Sequence, residues 1–205
     1  MNHEPSSHAL TPPQILLDDI VALDVSFIDF DGREGTGVIE VHKSIADDVR
    51  DVFALMHQMK FPLQSVRPMS EFDYDDDASM AANNTSAFNF RTVTLDPTRL
   101  SLHSYGLAID INPKTNPYIN GDRVLSEGAT YDPAAEGALY LGHPVVEFFT
   151  SRGFVWGDAW DKPYRDIQHF HKPWNDSFEE RYRYEVEKTL TEHQINLEAI
   201  VPKGR

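Results

Sequence analysis

The sequence of 205 residues contains no cysteine. Disulfides are therefore excluded, and a metal site here must be built from histidine and carboxylate side chains. Cations are scarce: 18 Lys and Arg stand against 33 Asp and Glu, for a net charge of −15. Nucleic acids and anionic membrane surfaces are bound through clustered Lys and Arg, so neither is expected as a partner. No apolar run approaches the ~20 residues that a membrane-spanning helix needs. The opening "MNHEPSSHALTPP" has neither a basic region nor an apolar region of a secretory signal, so the chain reads as cytoplasmic when synthesised. There is also no internal repeat and no low-complexity linker. A hydrophobic share of 40% and a charged share of 25% describe an ordinary globular chain.

What is present reads as one α+β domain over residues 14–205, preceded by a flexible polar arm at 1–13. "VSFIDFDGREGTGVIEVHK" alternates apolar and polar residues around an Asp-Gly bend, the pattern of a hairpin. In "SIADDVRDVFALMHQMKF", Ile45, Val49, Val52, Phe53 and Met56 recur at helical spacing. This predicts a helix near 44–60, capped by Ser44, with His57 on its solvated flank. The acidic run Asp73, Asp75, Asp76, Asp77 lacks the glycine and terminal glutamate of a calcium-binding EF-hand loop. It reads as a solvated loop or a helix start. "NFRTVT" and "LAIDIN" read as strands, "HPVVEFFTSRG" as a helix closed by Gly153, and "DSFEERYRYEVEKTL" as a charged helix before a frayed tail, "IVPKGR".

The chemistry concentrates in "SLHSYGLAID", residues 101–110. Strand alternation puts Leu107, Ile109 and Ile111 on one face and Ala108, Asp110 and Asn112 on the other. A carboxylate buried there needs a cation or several donors. Gly106 allows a turn that brings His103 and Asp110 together. On this stretch alone, a backbone-bonded aspartate and a metal ligand are equally good readings.

A second stretch, "GFVWGDAWDKPYRDIQHFHKPW", places Asp166 three residues before His169. Catalytic zinc takes three protein ligands and keeps the fourth position for water. His103, Asp110 and His169 supply three, and Asp166 remains as a general base. His171 also lies beside His169, on the same face of a strand, and only the Asp-x-x-His spacing selects His169. A two-His, one-carboxylate set also suits non-heme iron. Oxygenases, however, usually place the carboxylate close after the first histidine, and six residues intervene here. His3, His8, His42, His143 and His193 have no partner spacing and read as structural or solvated.

Taken together, Ser101-x-His103-x-x-Gly106-x-Ala108-x-Asp110, Trp156-Gly157 and Asp166-x-x-His169 resemble the signature of zinc D-alanyl-D-alanine carboxypeptidases and L-alanyl-D-glutamate endopeptidases. This family includes vancomycin-resistance dipeptidases and phage endolysins, and shares its fold with the Hedgehog signalling domain. "NNTSAFNFR" and "HSYGLAIDINPKTNPY" carry the likeness further, from about Gly37 to Trp174. The resemblance implies a small central antiparallel sheet flanked by helices. It implies one Zn2+ held by His103, Asp110 and His169, with Asp166 as base. It also implies an upstream oxyanion arginine, either Arg91 or Arg67, with Arg91 favoured by its neighbourhood. Ser86, Ser101 and Trp160 are candidate substrate contacts, and equally candidates for turn capping or core packing. The implied activity is hydrolysis of D-Ala-D-Ala or related bonds in peptidoglycan peptides. The alternative is a binding module that keeps the zinc without chemistry. The sequence departs from the pattern where relatives often have Gly-Gly after the tryptophan and this chain has Gly157-Asp158.

Overall fold

In the computed structural model, residues 11–93, 96–126, 128–160 and 163–192 are described, except for the side chains of residues 97, 98, 190 and 192. The expectations for residues 1–10, for "IVPKGR" and for His3, His8 and His193 lie outside the described residues. Helix α1 (Gln14–Leu17) leads into β1 (Ile20–Ile28) and β2 (Glu34–His42), an antiparallel hairpin pairing Ile20 with His42 and Ile28 with Glu34. At its bend the Asp29 carboxylate accepts the N–H groups of Asp31 and Arg33, and Gly32 takes a φ of 77°. The hairpin is the expected one.

A short 3-10 turn, Lys43–Ile45, opens α2 (Ala46–Gln58). Val49, Val52, Phe53 and Met56 are buried on its inner face, as their spacing predicts. The cap differs from expectation. Ser44 lies inside the turn and donates its backbone N–H to the His42 ring at 3.0 Å, so His42 is the cap. His42 is available because its other ring nitrogen is tied to the Tyr182 hydroxyl at 2.7 Å. His57 sits on the half-exposed flank and pairs with Glu34 at 2.7 Å.

The chain continues through β3 (Ser65–Val66), α3 (Asp76–Ala81) and β4 (Asn84–Thr85). Asp75 caps α3 by accepting from Ala78 N–H, so the acidic run is a helix start. Next come β5 (Thr92–Val93), β6 (Asp96–Leu100), β7 (Ala108–Asp110), β8 (Tyr118–Asn120) and β9 (Arg123–Leu125). Among the described residues of "NFRTVT", only Thr92–Val93 form a strand. Before it, Ser86 bonds to Asp110, Phe88 to Glu40, and Ala87, Asn89 and Arg91 to the 101–104 turn. Helix α4 (Pro144–Ser151) follows, with Arg152 at its end and Gly153 one residue beyond, at a φ of 78°. Strands β10 (Val155–Trp156), β11 (Tyr164–Asp166) and β12 (His169–His171) precede α5 (Asp176–Glu192).

Mixed helix and small antiparallel sheets make this an α+β fold. Two three-stranded sheets matter for the site, one ordered β10-β12-β7 and the other β11-β8-β9. The first rests on a core of Leu107, Ile109, Ile111, Phe149, Trp156 and Phe170, in which Phe170 stacks on Phe149 at 4.2 Å. Loops around it are braced by buried asparagines. Asn84 spans Ser65 and the Arg67 backbone, while Asn112 and Asn116 reach the carbonyls of Pro62 and Gly137. These amides satisfy backbone groups that no ladder pairs. No described helix is long and apolar enough to cross a membrane.

Candidate metal centre

Strand β7 carries Asp110 and β12 carries His169, and the two residues face each other directly across the antiparallel pair. Opposed residues project their side chains to the same side of a sheet. The aspartate and histidine therefore meet by register: His169 Nδ1 lies 3.0 Å from an Asp110 carboxylate oxygen. His103 arrives from the 3-10 turn Leu102–Tyr105, which Ser101 caps by accepting the His103 N–H at 3.3 Å. Gly106 closes the turn at a φ of 64°. A Cβ there would lie 2.6 Å from the His42 backbone nitrogen, so the turn can press on β2 only with glycine. Glycine thus permits the convergence expected of it.

His103 Nε2 lies 3.1 Å from the other Asp110 oxygen and 3.2 Å from His169 Nδ1. The three ligand atoms fall within 4.8 Å of one another, and all three residues are buried. His103 Nδ1 lies 2.6 Å from the Ala87 carbonyl oxygen, which can only accept. Nδ1 must therefore carry a proton, which turns Nε2 towards the cluster. Burial lowers the proton affinity of His169. Burial alone would raise that of Asp110, but the two imidazoles outweigh it and hold the carboxyl well below the usual range. Two imidazole nitrogens and one carboxylate thus converge on one point. That donor set could hold a divalent metal ion.

The cluster opens into a cleft of about 650 Å³ that Arg91, Ser101, Trp160, Asp166 and His171 also line. Asp166 sits on β11 opposite Tyr118. Its position depends on two close approaches. Trp156 donates its indole N–H to the Ile167 carbonyl at 2.8 Å. Gly157 lies so near that a Cβ would come within 2.4 Å of the Asp166 carbonyl oxygen. Asp166 Oδ1 is buried with no hydrogen-bond partner among the described residues. Burial, then the Asp110 charge, push its proton affinity well above the ordinary carboxylate range, while Arg91 opposes them. Next to Gly157, Asp158 takes Arg165 in a two-pronged ion pair at 2.5 and 3.0 Å. Asp158 thus has an internal partner.

The remaining candidates divide. Arg91 lines the cleft, whereas Arg67 lies outside it, paired with Glu71 at 2.7 Å and over the Phe72 ring. Ser101 and Trp160 line it. Ser86 does not, and instead exchanges two backbone hydrogen bonds with Asp110. His171 lines the cleft beside Trp160, at 6.1 Å between ring centres, and its Nδ1 has no partner among the described residues. Burial, with the neighbouring imidazoles, pushes His171 down to about 3. The sequence reading did not connect Asp76, on α3, with the cleft it also lines.

Residues 95–172 match the family model of the D-alanyl-D-alanine carboxypeptidases. The match takes in His103, Asp110, Gly157, Asp166 and His169, and stops short of Arg91. It supports a peptidase of this broad carboxypeptidase family and singles out no particular member. The comparison with curated proteins finds no match, nor does the comparison with solved structures.

Proposed function

We propose that the protein is a zinc-dependent peptidase hydrolysing D-Ala-D-Ala or related bonds in bacterial cell-wall peptides. The observation that carries this reading is the meeting of His103, Asp110 and His169 in one cleft with Asp166 and Arg91. His103 through Nε2, His169 through Nδ1 and Asp110 through its carboxylate would hold the ion. Zinc bound by three protein ligands polarises a carbonyl and lowers the pKa of water from ~15.7 towards ~7.

Asp166 accepts the proton of the attacking water and returns it to the leaving amine. A carboxylate with raised proton affinity suits both halves of that transfer. Arg91 offers a guanidinium to the oxygen on which negative charge develops; losing one such donor typically costs ~3–4 kcal/mol of barrier. Ser101 and Trp160 contact the peptide along the cleft. A module that only binds zinc has no use for Asp166.

The test is incubation of the zinc-loaded chain with a pentapeptide ending in D-Ala-D-Ala and with mixed muropeptides, with products identified by mass. Release of D-Ala, or an internal cut, is expected, lost on chelation and restored by zinc. Intact peptides from a chain that holds zinc would instead support the binding module.

A further inference from the structure

In the acidic run that opens α3, Asp76 pairs inward with Asn89 and Arg91. We propose that Asp76 is a positioning residue that, with Asn89, fixes the Arg91 guanidinium for the reaction. The inference rests on the role proposed above for Arg91. Asp76 accepts from Asn89 Nδ2 at 3.2 Å through one oxygen and pairs with Arg91 Nη2 at 3.1 Å through the other. Asn89 and Arg91 are two residues apart, so one carboxylate from a different element clamps two side chains of one extended segment.

The backbone of that segment is already pinned to the histidine turn. Asn89 N–H donates to the His103 carbonyl at 3.1 Å, and Arg91 N–H to Ser104 Oγ at 2.9 Å. The Arg91 carbonyl accepts from Ser104 Oγ at 2.6 Å and from Ser101 N–H at 3.0 Å. The guanidinium is held at two nitrogens: Nη1 donates to the Thr92 carbonyl at 3.1 Å, and Nη2 pairs with the Asp76 carboxylate. The pair is only 22% and 29% exposed, so water screens it less than a surface pair. Support of α3 alone does not explain Asp76. Asp75 is the cap, and Asp77 also places a carboxylate in the first turn.

The test is a double-mutant cycle on the zinc-loaded full chain, with hydrolysis of the D-Ala-D-Ala pentapeptide as the rate. Asp76→Asn should lower kcat roughly 10- to 100-fold, the cost of a misplaced group, with KM nearly unchanged. In an Arg91→Ala background it should cost nothing more. Asp76→Glu, which keeps the charge, should recover part of the loss. The Arg91 side-chain Nε–H should exchange with solvent faster in Asp76→Asn, a readout that needs no turnover. An equal cost in both backgrounds, or full activity of Asp76→Asn, overturns the inference alone. Full activity of Arg91→Ala removes the role of Arg91 and this inference with it. Should Asp76→Asn melt early, Asp76→Glu carries the cycle, and additivity with Arg91→Ala overturns the inference.

Discussion

The ring of His103 is oriented by the backbone of Ala87: its Nδ1 sits 2.6 Å from that carbonyl oxygen, and its Nε2 faces His169 and Asp110. His169 presents the opposite nitrogen, Nδ1, to the cluster. With zinc bound, nitrogen-15 NMR should find His103 protonated on Nδ1 and His169 on Nε2. The same tautomer on both rings would contradict this geometry.

Gly157 leaves no room for a methyl group against the Asp166 backbone. Gly157→Ala must push β11 away, costing about 1–3 kcal/mol of stability as overpacking does. A shift near 1 Å at the base should also cost on the order of 100-fold in turnover. Melting temperature and kcat check the two effects, and an unchanged kcat would show that Asp166 is not placed by this contact.

Asp19 ties the start of the chain to its last helix. Its carboxylate takes Lys43 at 2.5 Å, the Tyr182 hydroxyl at 2.6 Å, and Arg181. Burial alone would raise its pKa, but these partners outweigh burial and hold it well below the ordinary value. The unfolded carboxyl titrates near ~3.9. Stability owed to Asp19 is therefore present above about pH 4 and is lost as pH falls below it. Asp19→Asn should lower stability at pH 7 by about 1–3 kcal/mol and flatten the acid side of the stability curve. Because Lys43 and Arg181 are half-exposed, the lower end of that range is expected. An acid limb as steep as in the unaltered protein would contradict it.

Asp158 engages Arg165 within the chain. Asp158→Gly should destabilise this protein by about 1 kcal/mol, because the partly buried Arg165 loses its carboxylate partner. Denaturant melts with and without Arg165→Ala measure the coupling, and additive losses would show the pair to be idle.

Much of the centre was legible because its logic is local. Asp166 and His169 sit three residues apart, and Gly106 marks the turn between His103 and Asp110. The helix over 46–58 followed from apolar spacing, and the first hairpin from alternation around Asp31-Gly32. The less legible features arise from distant partners. Ser44 looked like a cap, yet His42 caps because Tyr182, far along the chain, orients its ring. "NFRTVT" has strand composition, but Asn89 and Arg91 are held by the 101–104 turn rather than by a ladder. Asp76 looked like part of a solvated acidic run, and only the folding of α3 against residues 89–91 turns it inward.

Metal stoichiometry of the purified chain and of His169→Ala, measured by elemental analysis after zinc loading and dialysis, tests the central claim most directly. The account predicts about one zinc per unaltered chain and close to none in the variant. A chain that retains no zinc, or a variant that retains as much as the unaltered protein, would contradict it.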